Sequence, residues 1–424
     1  MAGRALVDSR LKCSRYCAGR MPAKSRLLLF ALSVWVVVAP QVRGQVPLTA
    51  AESEKIEHFL DSDHSPALLD CSIQARKPFL DFTFRFVVGY ILSCPLRAFG
   101  GRATAIWAFT RVTPEGGKPL ILGQSYWLPG LSPEQAAATN SSKLKGRAEA
   151  SGGFSVGEGG YRVDLLLVDR ETGRTTQKSW RVRVARRHRE QAVPVAVPPA
   201  TVMPMAFQPW PGKLDTSGKG LRLTILLDAA PMNPRAQKLR AWDRTFLLGS
   251  LSSLLSLIPC ASVRLIAFNF DQQREVFRQD PFDAAGFMKL AEAFRTLELG
   301  TISYRVLQKR HGSLEMLVDS ANREMTSADP SDVVILLGPH TFYDEQVPRR
   351  MLKGRETPYP HFCYFEYFPG YLRWAELPPN TLHNLTKRLD GSVYRIYSPG
   401  DLARAVQKML ARVQPNGRST VDSE

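Results

Sequence analysis

Residues 221–228 read Leu-Arg-Leu-Thr-Ile-Leu-Leu-Asp, and this stretch decides the fold of the 424-residue chain. The run is almost entirely apolar and ends in a carboxylate. Apolar runs of this length are typical of a central parallel strand, because helices cover both faces of such a strand. We therefore expect a buried strand that delivers Asp228 to a loop at its carboxyl end.

Downstream of this strand, segments of helical periodicity alternate with strand-length apolar runs up to residue 413. The predicted strands are Val263–Phe270, Arg274–Arg278, Val333–Leu337, Phe362–Phe368 and Val393–Tyr397. The predicted helices are Arg235–Leu257, Asp283–Leu297, Leu314–Met325, Thr381–Leu389 and Asp401–Val413. This order predicts a doubly wound, mostly parallel six-stranded sheet over residues 221–413, with helices on both faces and an antiparallel edge strand after Asp271-Gln272-Gln273.

Residues 62–186 have a different pattern, in which apolar and polar residues alternate. Phe82, Phe84 and Phe86 alternate with polar residues and predict a half-buried strand. Further strands are predicted at Thr104–Val112, Leu120–Trp127, Tyr161–Asp169 and Gln177–Val184. Because Gly and Pro punctuate the region and no long helical pattern interrupts it, we predict an antiparallel β-sandwich of immunoglobulin-like shape.

Three segments frame these two domains. Residues 45–61 predict a short helical lead-in, residues 187–220 an extended Pro-rich linker, and residues 414–424 a disordered tail.

The first 44 residues predict an export signal. They hold eight Lys or Arg against one Asp, so the formal charge of +17 falls to +10 without them. A basic start, an apolar core and small residues before Gln45 fit a removable signal peptide. We expect a protein that is secreted or periplasmic, touches the membrane only if this signal stays uncleaved, and starts at Met1 or Met21.

The cysteines and the basic cluster at residues 186–189 predict no chemistry of their own. Export permits a disulfide between Cys71 and Cys94, although both fit equally well as small buried hydrophobes. His361 and Cys363 share one face of a strand, where a core role is favoured over a thiol nucleophile and its base. The basic cluster fits a solvated strand end, and we expect no nucleic-acid partner.

A six-stranded α/β domain whose first strand ends in Asp resembles the von Willebrand factor A domain. Its pairing with an upstream β-domain resembles the bacterial secreted proteins called VWFA-related. In that family the motif Asp-x-Ser-x-Ser, with a Thr and an Asp from other loops, holds a magnesium ion that completes its shell with an acidic ligand.

The resemblance implies that the metal site of this chain is degenerate. Asp228 matches the motif Asp and Thr301 lies near the position of the family's Thr, but Ala230 and Met232 occupy the two Ser positions. The Asp expected after the fourth strand is replaced by Gly338-Pro339-His340. Because Mg²⁺ requires near-octahedral oxygen ligands, we expect no metal and no cofactor.

The remaining rim residues predict a surface for direct contact. His340, Tyr343 and Asp344 follow the fourth strand, and Tyr371, Arg373 and Trp374 lie in a loop bounded by Gly and Pro. Aromatic residues and Arg dominate protein interfaces. The sequence thus predicts a secreted, non-enzymatic protein of binding, structural or adhesion type, whose partner is a protein or a cell-surface component.

Two alternatives remain open at this point. The first is metal-dependent ligand binding through Asp228, Thr301 and Asp344. The second is a hydrolase that uses His340 with Asp344 or Asp228, although no local catalytic motif stands out and no catalytic residue is assigned.

Overall fold

The computed structural model describes residues 45–61, 67–128, 130, 146–233, 236, 238–299, 304–309, 311–353, 360–369 and 377–413. Its class is mixed β and α/β. Antiparallel sheets occupy the N-terminal half, and a mostly parallel sheet with helices occupies the C-terminal half.

The described residues of the N-terminal half form two five-stranded antiparallel sheets, preceded by helix α1 (Ala50–Asp61). The first sheet has the order β1 (Val46–Pro47), β6 (Leu120–Leu128), β5 (Thr104–Pro114), β8 (Gly159–Asp169) and β9 (Thr175–Val184). The second has the order β10 (Val202–Pro204), β7 (Arg147–Val156), β4 (Phe86–Pro95) and β2 (Ser72–Ala75), with β3 (Phe79–Leu80) also paired to β4. The predicted Pro-rich segment therefore contributes β10 to the second sheet.

The two sheets bury their apolar residues in shared clusters. Ile106 and Leu165 of the first sheet belong to one cluster with Tyr90 and Leu92 of the second. Period-two alternation explains this arrangement, because every second side chain of a strand points to the same face.

A disulfide joins Cys71 to Cys94 in the second sheet. Ser72 pairs with Ser93 in the register of β2 and β4, so the two cysteines lie at neighbouring positions of one antiparallel ladder. The bond closes a loop with a sequence separation of 23 residues. Closing a loop of this size stabilises the fold mainly by restricting the unfolded chain.

Replacing both cysteines, Cys71→Ser with Cys94→Ser, should lower the free energy of unfolding by about 3 kcal/mol, the value expected for loops of this size. Denaturant unfolding of the oxidised protein and of the variant measures the difference. Reductant should destabilise the wild type and leave the variant unchanged. Equal stability of the two proteins would show that the disulfide does not contribute.

The strand predicted across Phe82, Phe84 and Phe86 is wrong for its first part. Residues 81–85 form a turn, and β4 begins only at Phe86. The Asp81 carboxylate accepts hydrogen bonds from the Thr83 backbone N–H at 2.9 Å, the Thr83 hydroxyl at 2.6 Å and the Arg85 backbone N–H at 3.2 Å. Such local side-chain acceptors compete with strand pairing and bend the backbone.

The C-terminal sheet has six strands in the order β13 (Arg274–Gln279), β12 (Cys260–Asn269), β11 (Leu221–Asp228), β14 (Val333–Pro339), β15 (His361–Tyr367) and β16 (Ser392–Ile396). All neighbouring pairs are parallel except β12 with β13. The predicted central position of residues 221–228 and the predicted antiparallel edge strand are both confirmed.

The helices of this half are α2 (Ala241–Leu257), α3 (Ala284–Thr296), α4 (Tyr304–Gln308), α5 (Gly312–Met325), α6 (Thr381–Arg388) and α7 (Pro399–Val413). Alternate residues of β11 enter different buried clusters. Ile225 and Leu227 pack in a cluster with residues of α2, α3 and α7, whereas Leu226 packs in a cluster with residues of α5 and α6. The helix predicted over Arg235–Leu257 is described from Ala241 to Leu257, and Arg235 itself lies outside the described residues.

The two halves belong to one compact unit and share one continuous buried cluster. The Phe82 ring lies 4.9 Å from the Phe246 ring of α2 and 5.5 Å from the Tyr367 ring of β15. The Ser253 hydroxyl donates to the Phe82 carbonyl at 2.7 Å. The turn at residues 81–85 therefore docks the N-terminal half onto the C-terminal one.

Within the described part of the chain, no helix is both long enough and apolar enough to cross a bilayer.

Candidate functional site

The carboxyl ends of β11, β12, β14 and β15 lie along one edge of the parallel sheet, which we call the carboxyl edge. Ligands in open α/β sheets bind outside this edge, because the loops that leave the strands meet there. Asp228, Asn269, Pro339 and Tyr367 are the last residues of these four strands.

Asp228 is enclosed at the centre of this edge. It is 0% exposed, and neither carboxyl oxygen has a hydrogen-bond partner among the described residues. Burial, together with the nearby Asp271 carboxylate, raises the pKa of Asp228 well above its ordinary value. The neutral form of this carboxyl group is therefore favoured over a wider range of pH than that of an exposed Asp.

Gly338 closes one side of Asp228. A Cβ atom placed on Gly338 would lie 2.7 Å from the Asp228 Cβ, so no larger residue fits there without a shift of the backbone. This packing explains why the position expected to supply a second Asp carries no side chain. The strand β14 continues through Gly338 to Pro339 and occupies that space with backbone.

Asp243 organises the loop that follows β11. One of its carboxylate oxygens accepts from the Met232 backbone N–H at 3.1 Å, and the other accepts from the Arg240 backbone N–H at 3.0 Å. Asp243 lies in the first turn of α2 and is buried. A single carboxylate thus ties the start of the loop to its end, while Ala230 and Met232 supply no side-chain oxygen.

Asp228→Asn should become more stable relative to the wild type as the pH rises from 5 to 8. The folded state binds the Asp228 proton more tightly than the unfolded state, so the wild type loses stability as the pH climbs from the unfolded pKa towards the raised folded pKa. The maximal slope for one proton is about 1.4 kcal/mol per pH unit. Denaturant unfolding at several pH values measures this difference.

The control is Asp344→Asn, which removes an exposed carboxylate from the same edge. Its difference from the wild type should stay small at every pH. If the stability of Asp228→Asn relative to the wild type instead falls as the pH rises, the carboxylate is charged and paired in the folded protein.

A buried polar cluster follows β14 on the same edge. The His340 Nδ1 lies 2.7 Å from the Glu366 Oε1, and their side chains are 6% and 2% exposed. The Asn380 amide donates to the same Glu366 oxygen at 3.1 Å and to the Tyr364 hydroxyl at 3.1 Å. Asn380 also caps α6 by accepting from the His383 backbone N–H at 2.9 Å.

Aromatic rings close around this cluster. The His340 ring stacks on Phe368 at 5.1 Å and meets Phe342 edge-on at 5.9 Å. The Arg395 guanidinium lies 5.7 Å above the Phe368 ring, with its Nε 3.9 Å from the Glu366 carboxylate. The arrangement orients the imidazole firmly but encloses it between rings.

His340→Phe should lower the free energy of unfolding by about 3 kcal/mol, because it keeps a ring against Phe368 but leaves the buried Glu366 carboxyl without its nearest partner. The double variant His340→Phe, Glu366→Leu should recover at least half of that loss. Denaturant unfolding of the wild type, of these two variants and of Glu366→Leu gives the four free energies of unfolding of a double-mutant cycle. A double variant as unstable as the sum of the single ones would show that the two residues are not coupled.

Three other predicted residues lie at this edge in different settings. The Tyr343 hydroxyl donates to Asp271 at 2.8 Å and its ring packs 5.3 Å from Phe270, whereas Asp344 is exposed. Burial, followed by the hydrogen bond to Asp271, raises the pKa of Tyr343. His340 is bonded to Glu366, and neither Asp344 nor Asp228 is its hydrogen-bond partner.

The remaining predicted site residues, Thr301, Tyr371, Arg373 and Trp374, lie outside the described residues. Within the described ranges, no group of three or more His, Cys, Asp or Glu side chains is arranged to hold a metal ion.

Four residues of the edge were not identified from the sequence: Asp243, Asp271, Glu366 and Asn380. Three of them had a local signal. Asp243 is an acid in the first turn of a helix, and Asn380 is an N-cap residue directly before one. Glu366 is a lone acid in the apolar run of β15, which is a signal for a buried partner.

His361 and Cys363 are not arranged as a base and a nucleophile. Burial raises the pKa of the Cys363 thiol to about 12 and lowers the pKa of His361. The thiol is therefore protonated at neutral pH, and the predicted core role of Cys363 fits its complete burial.

Two exposed aromatic residues lie close to the carboxyl edge. Trp242, in the first turn of α2, is 62% exposed and stacks on Phe246 at 5.5 Å. Phe342 is 68% exposed. They are linked through the protein, because Phe246 contacts the Tyr367 ring at 5.0 Å and the Tyr367 carbonyl accepts from the His340 backbone N–H at 2.9 Å.

No family model matches the chain, and no similar curated protein is found. The ApaA protein from Bordetella pertussis is 13% identical over 29% of this chain and 99% of its own length, with a TM-score of 0.18.

Two glycosidases also show similarity. Bacteroides uniformis beta-glucuronidase 2 is 10% identical over 76% of this chain and 38% of its own length, with a TM-score of 0.18, so the chain spans well under half of that enzyme. A family 123 glycoside hydrolase from Clostridium perfringens is 6% identical over 82% of this chain and 90% of its own, with a TM-score of 0.20.

Proposed function

We propose that this chain is an exported, non-enzymatic protein-binding protein. In this proposal an immunoglobulin-like β-sandwich is joined to a doubly wound domain of von Willebrand factor A type, and the second domain contacts its partner without a metal ion. The partner is a protein, either free or displayed on a cell surface.

The enclosed state of Asp228 carries the proposal. A magnesium ion in a protein keeps several water ligands, so a carboxylate that binds it must be reachable by hydrated ions. Asp228 has no exposed surface, and its raised pKa favours the neutral form, which is a poor metal ligand. The loop that would carry two hydroxyl ligands is closed by the Asp243 carboxylate instead.

The exposed aromatic residues support direct contact. Trp242 and Phe342 together offer two large apolar side chains beside the carboxyl edge, and aromatic anchors supply much of the energy of protein interfaces. The Arg395 guanidinium, whose side chain is 44% exposed, lies over the Phe368 ring, which stacks on His340. We propose that Tyr371, Arg373 and Trp374, which lie outside the described residues, also bind the partner.

The metal-dependent alternative makes the opposite prediction for the same edge. It requires Asp228 to ionise and to become accessible, with Thr301 and the exposed Asp344 supplying further oxygens. A metal that binds only the folded state raises its stability in proportion to the logarithm of the metal concentration.

The experiment captures partners from an extract of surface proteins with the immobilised full chain, once in magnesium and once in EDTA. The expected result is one set of proteins retained equally under both conditions. Trp242→Ala with Phe342→Ala should reduce that capture by about 10-fold or more, because truncation of aromatic anchors typically costs 2 kcal/mol or more.

The matched control is Met288→Ala with Tyr304→Ala, which removes two exposed large side chains from α3 and α4. Its capture should equal that of the wild type. Capture lost in EDTA, together with an increase in melting temperature in magnesium that Asp228→Ala abolishes, would instead establish the metal-dependent alternative.

A further inference from the structure

Three arginines lie together on one face of the β8–β9 hairpin. This hairpin belongs to the N-terminal half, whereas the carboxyl edge belongs to the C-terminal half. The register pairs Arg162 of β8 directly with Arg181 of β9, and Gly160 with Arg183. Residues two apart on a strand point to the same face, so Arg181 and Arg183 project from the same side as Arg162. We call this group the arginine face.

Two of the three arginines have no ion-pair partner within the described residues. Arg162 is 59% exposed and pairs at 3.2 Å with Asp164, which also pairs with Arg111 at 3.1 Å and accepts from the Ser179 hydroxyl. Arg181 and Arg183 are exposed, and neither forms an ion pair within the described residues. Two further acids lie nearby: Asp61, which pairs with Arg111 and whose pKa Arg162 helps to lower, and Glu115, whose carboxylate lies over Gly160. Neither pairs with Arg181 or Arg183 within the described residues.

The surrounding segment carries the same imbalance. Residues 159–190 hold nine Lys or Arg against four Asp or Glu. Like charges directly opposite on neighbouring strands repel. Because Arg162 shares the Asp164 carboxylate with Arg111 and Arg181 has no ion-pair partner within the described residues, a further anion between the two guanidinium groups would reduce this repulsion. Arginine guanidinium groups bind sulfate, phosphate and carboxylate groups in bidentate fashion.

We propose that the arginine face binds a linear anionic polysaccharide, with sulfate or carboxylate groups of the polymer lying between the guanidinium groups. This surface is separate from the proposed protein contact at the carboxyl edge. It gives the chain a second ligand of a different chemical class.

The geometry favours a polysaccharide over a nucleic acid. Single-stranded nucleic acids are held by stacking on aromatic side chains as well as by charge. The exposed Trp107 pairs with Val168, six residues along β8 from Arg162, which places it roughly 20 Å from the arginine face at about 3.4 Å per residue. Its ring is also covered by the Arg170 guanidinium at 5.6 Å.

The geometry also disfavours an acidic peptide that adds a strand. Strand addition uses the backbone groups of a sheet edge, whereas these arginines project from the face of the sheet. The start of the β9 edge is already paired, because the Leu69 N–H donates to the Thr175 carbonyl at 2.8 Å and the Thr175 N–H donates to the Ala67 carbonyl at 3.0 Å.

The test measures binding of the full chain to fluorescent dextran sulfate and to unmodified dextran at about 0.15 M salt. We expect saturable binding to dextran sulfate alone. The triple variant Arg162→Gln, Arg181→Gln, Arg183→Gln should bind it about 10-fold more weakly or worse, with a shallower dependence on salt. Its melting temperature should stay close to that of the wild type, because the variant removes the repulsive pair together with the Arg162–Asp164 ion pair, and Asp164 keeps Arg111 as a partner.

The matched control is Lys289→Gln, Lys387→Gln, Lys408→Gln, which removes the same net charge from exposed positions on α3, α6 and α7. It should lose less than about 3-fold in affinity. If the triple arginine variant does not fold, Arg181→Gln and Arg183→Gln are measured singly, and each should lose about 2-fold or more.

Three results would overturn the proposal. The first is an absence of binding to dextran sulfate. The second is an equal loss in the lysine control, which would reduce the effect to net charge. The third is binding of polyglutamate or of a single-stranded oligonucleotide of matched charge at least as tight as that of dextran sulfate, which would assign the surface to a peptide or to a nucleic acid.

Discussion

The close packing of Gly338 against Asp228 is the constraint on which the carboxyl edge depends. The register from Leu223 with Val333 to Leu227 with Leu337 brings the end of β11 directly beside Gly338 of β14. Because Gly338 has no side chain, the Asp228 Cβ fills the space that a Cβ on residue 338 would need. The two central strands therefore close over the carboxyl group and exclude both a second acid and solvent.

Because Asp228 is enclosed, the side-chain hydrogen bonds of the edge are formed in the neighbouring loops. The loop after β11 is fixed by the Asp243 carboxylate, and the loop after β14 is fixed by the His340–Glu366–Asn380 cluster. Both devices satisfy buried polar groups with side chains that come from later in the chain. The exposed groups that remain nearby include the aromatic rings of Trp242 and Phe342, together with the charged side chains of Asp344 and Arg395.

The sequence was sufficient to predict antiparallel sheets in the N-terminal half and a mostly parallel sheet with helices in the C-terminal half. It also predicted the central position of residues 221–228, because each of these features depends on hydrophobic periodicity. It failed where a local pattern has two physical interpretations. Phe82 and Phe84 alternate as strand residues do, yet Asp81 bends this segment and Phe82 packs against Phe246 and Tyr367 of the other half. A contact between distant halves of the chain leaves no periodic trace, so the alternation was assigned to a strand.

At the candidate site, likewise, the sequence located individual residues but not their tertiary contacts. Asp228 was located by the strand that ends in it, whereas its burial depends on Gly338, more than one hundred positions away. His340 was identified as a rim residue, but its partners Glu366 and Asn380 come from β15 and from the cap of α6. Pairings between side chains of three separate elements require the tertiary structure, since no spacing within any one segment encodes them.

The junction between β9 and the C-terminal half holds the two proposed surfaces in a fixed geometric relation. Beyond β9 the chain enters a short 3-10 helix, His188–Glu190, and the Arg189 carbonyl accepts from the Arg404 guanidinium of α7 at 2.7 Å. A Cβ atom on Gly400 would lie 2.1 Å from that same carbonyl, so backbone packs on backbone at this junction. A junction of this kind holds the arginine face in a fixed relation to the sheet rather than on a flexible tether. A polymer bound at the arginine face would then confine the carboxyl edge near the same surface and raise the effective concentration of any protein partner displayed there.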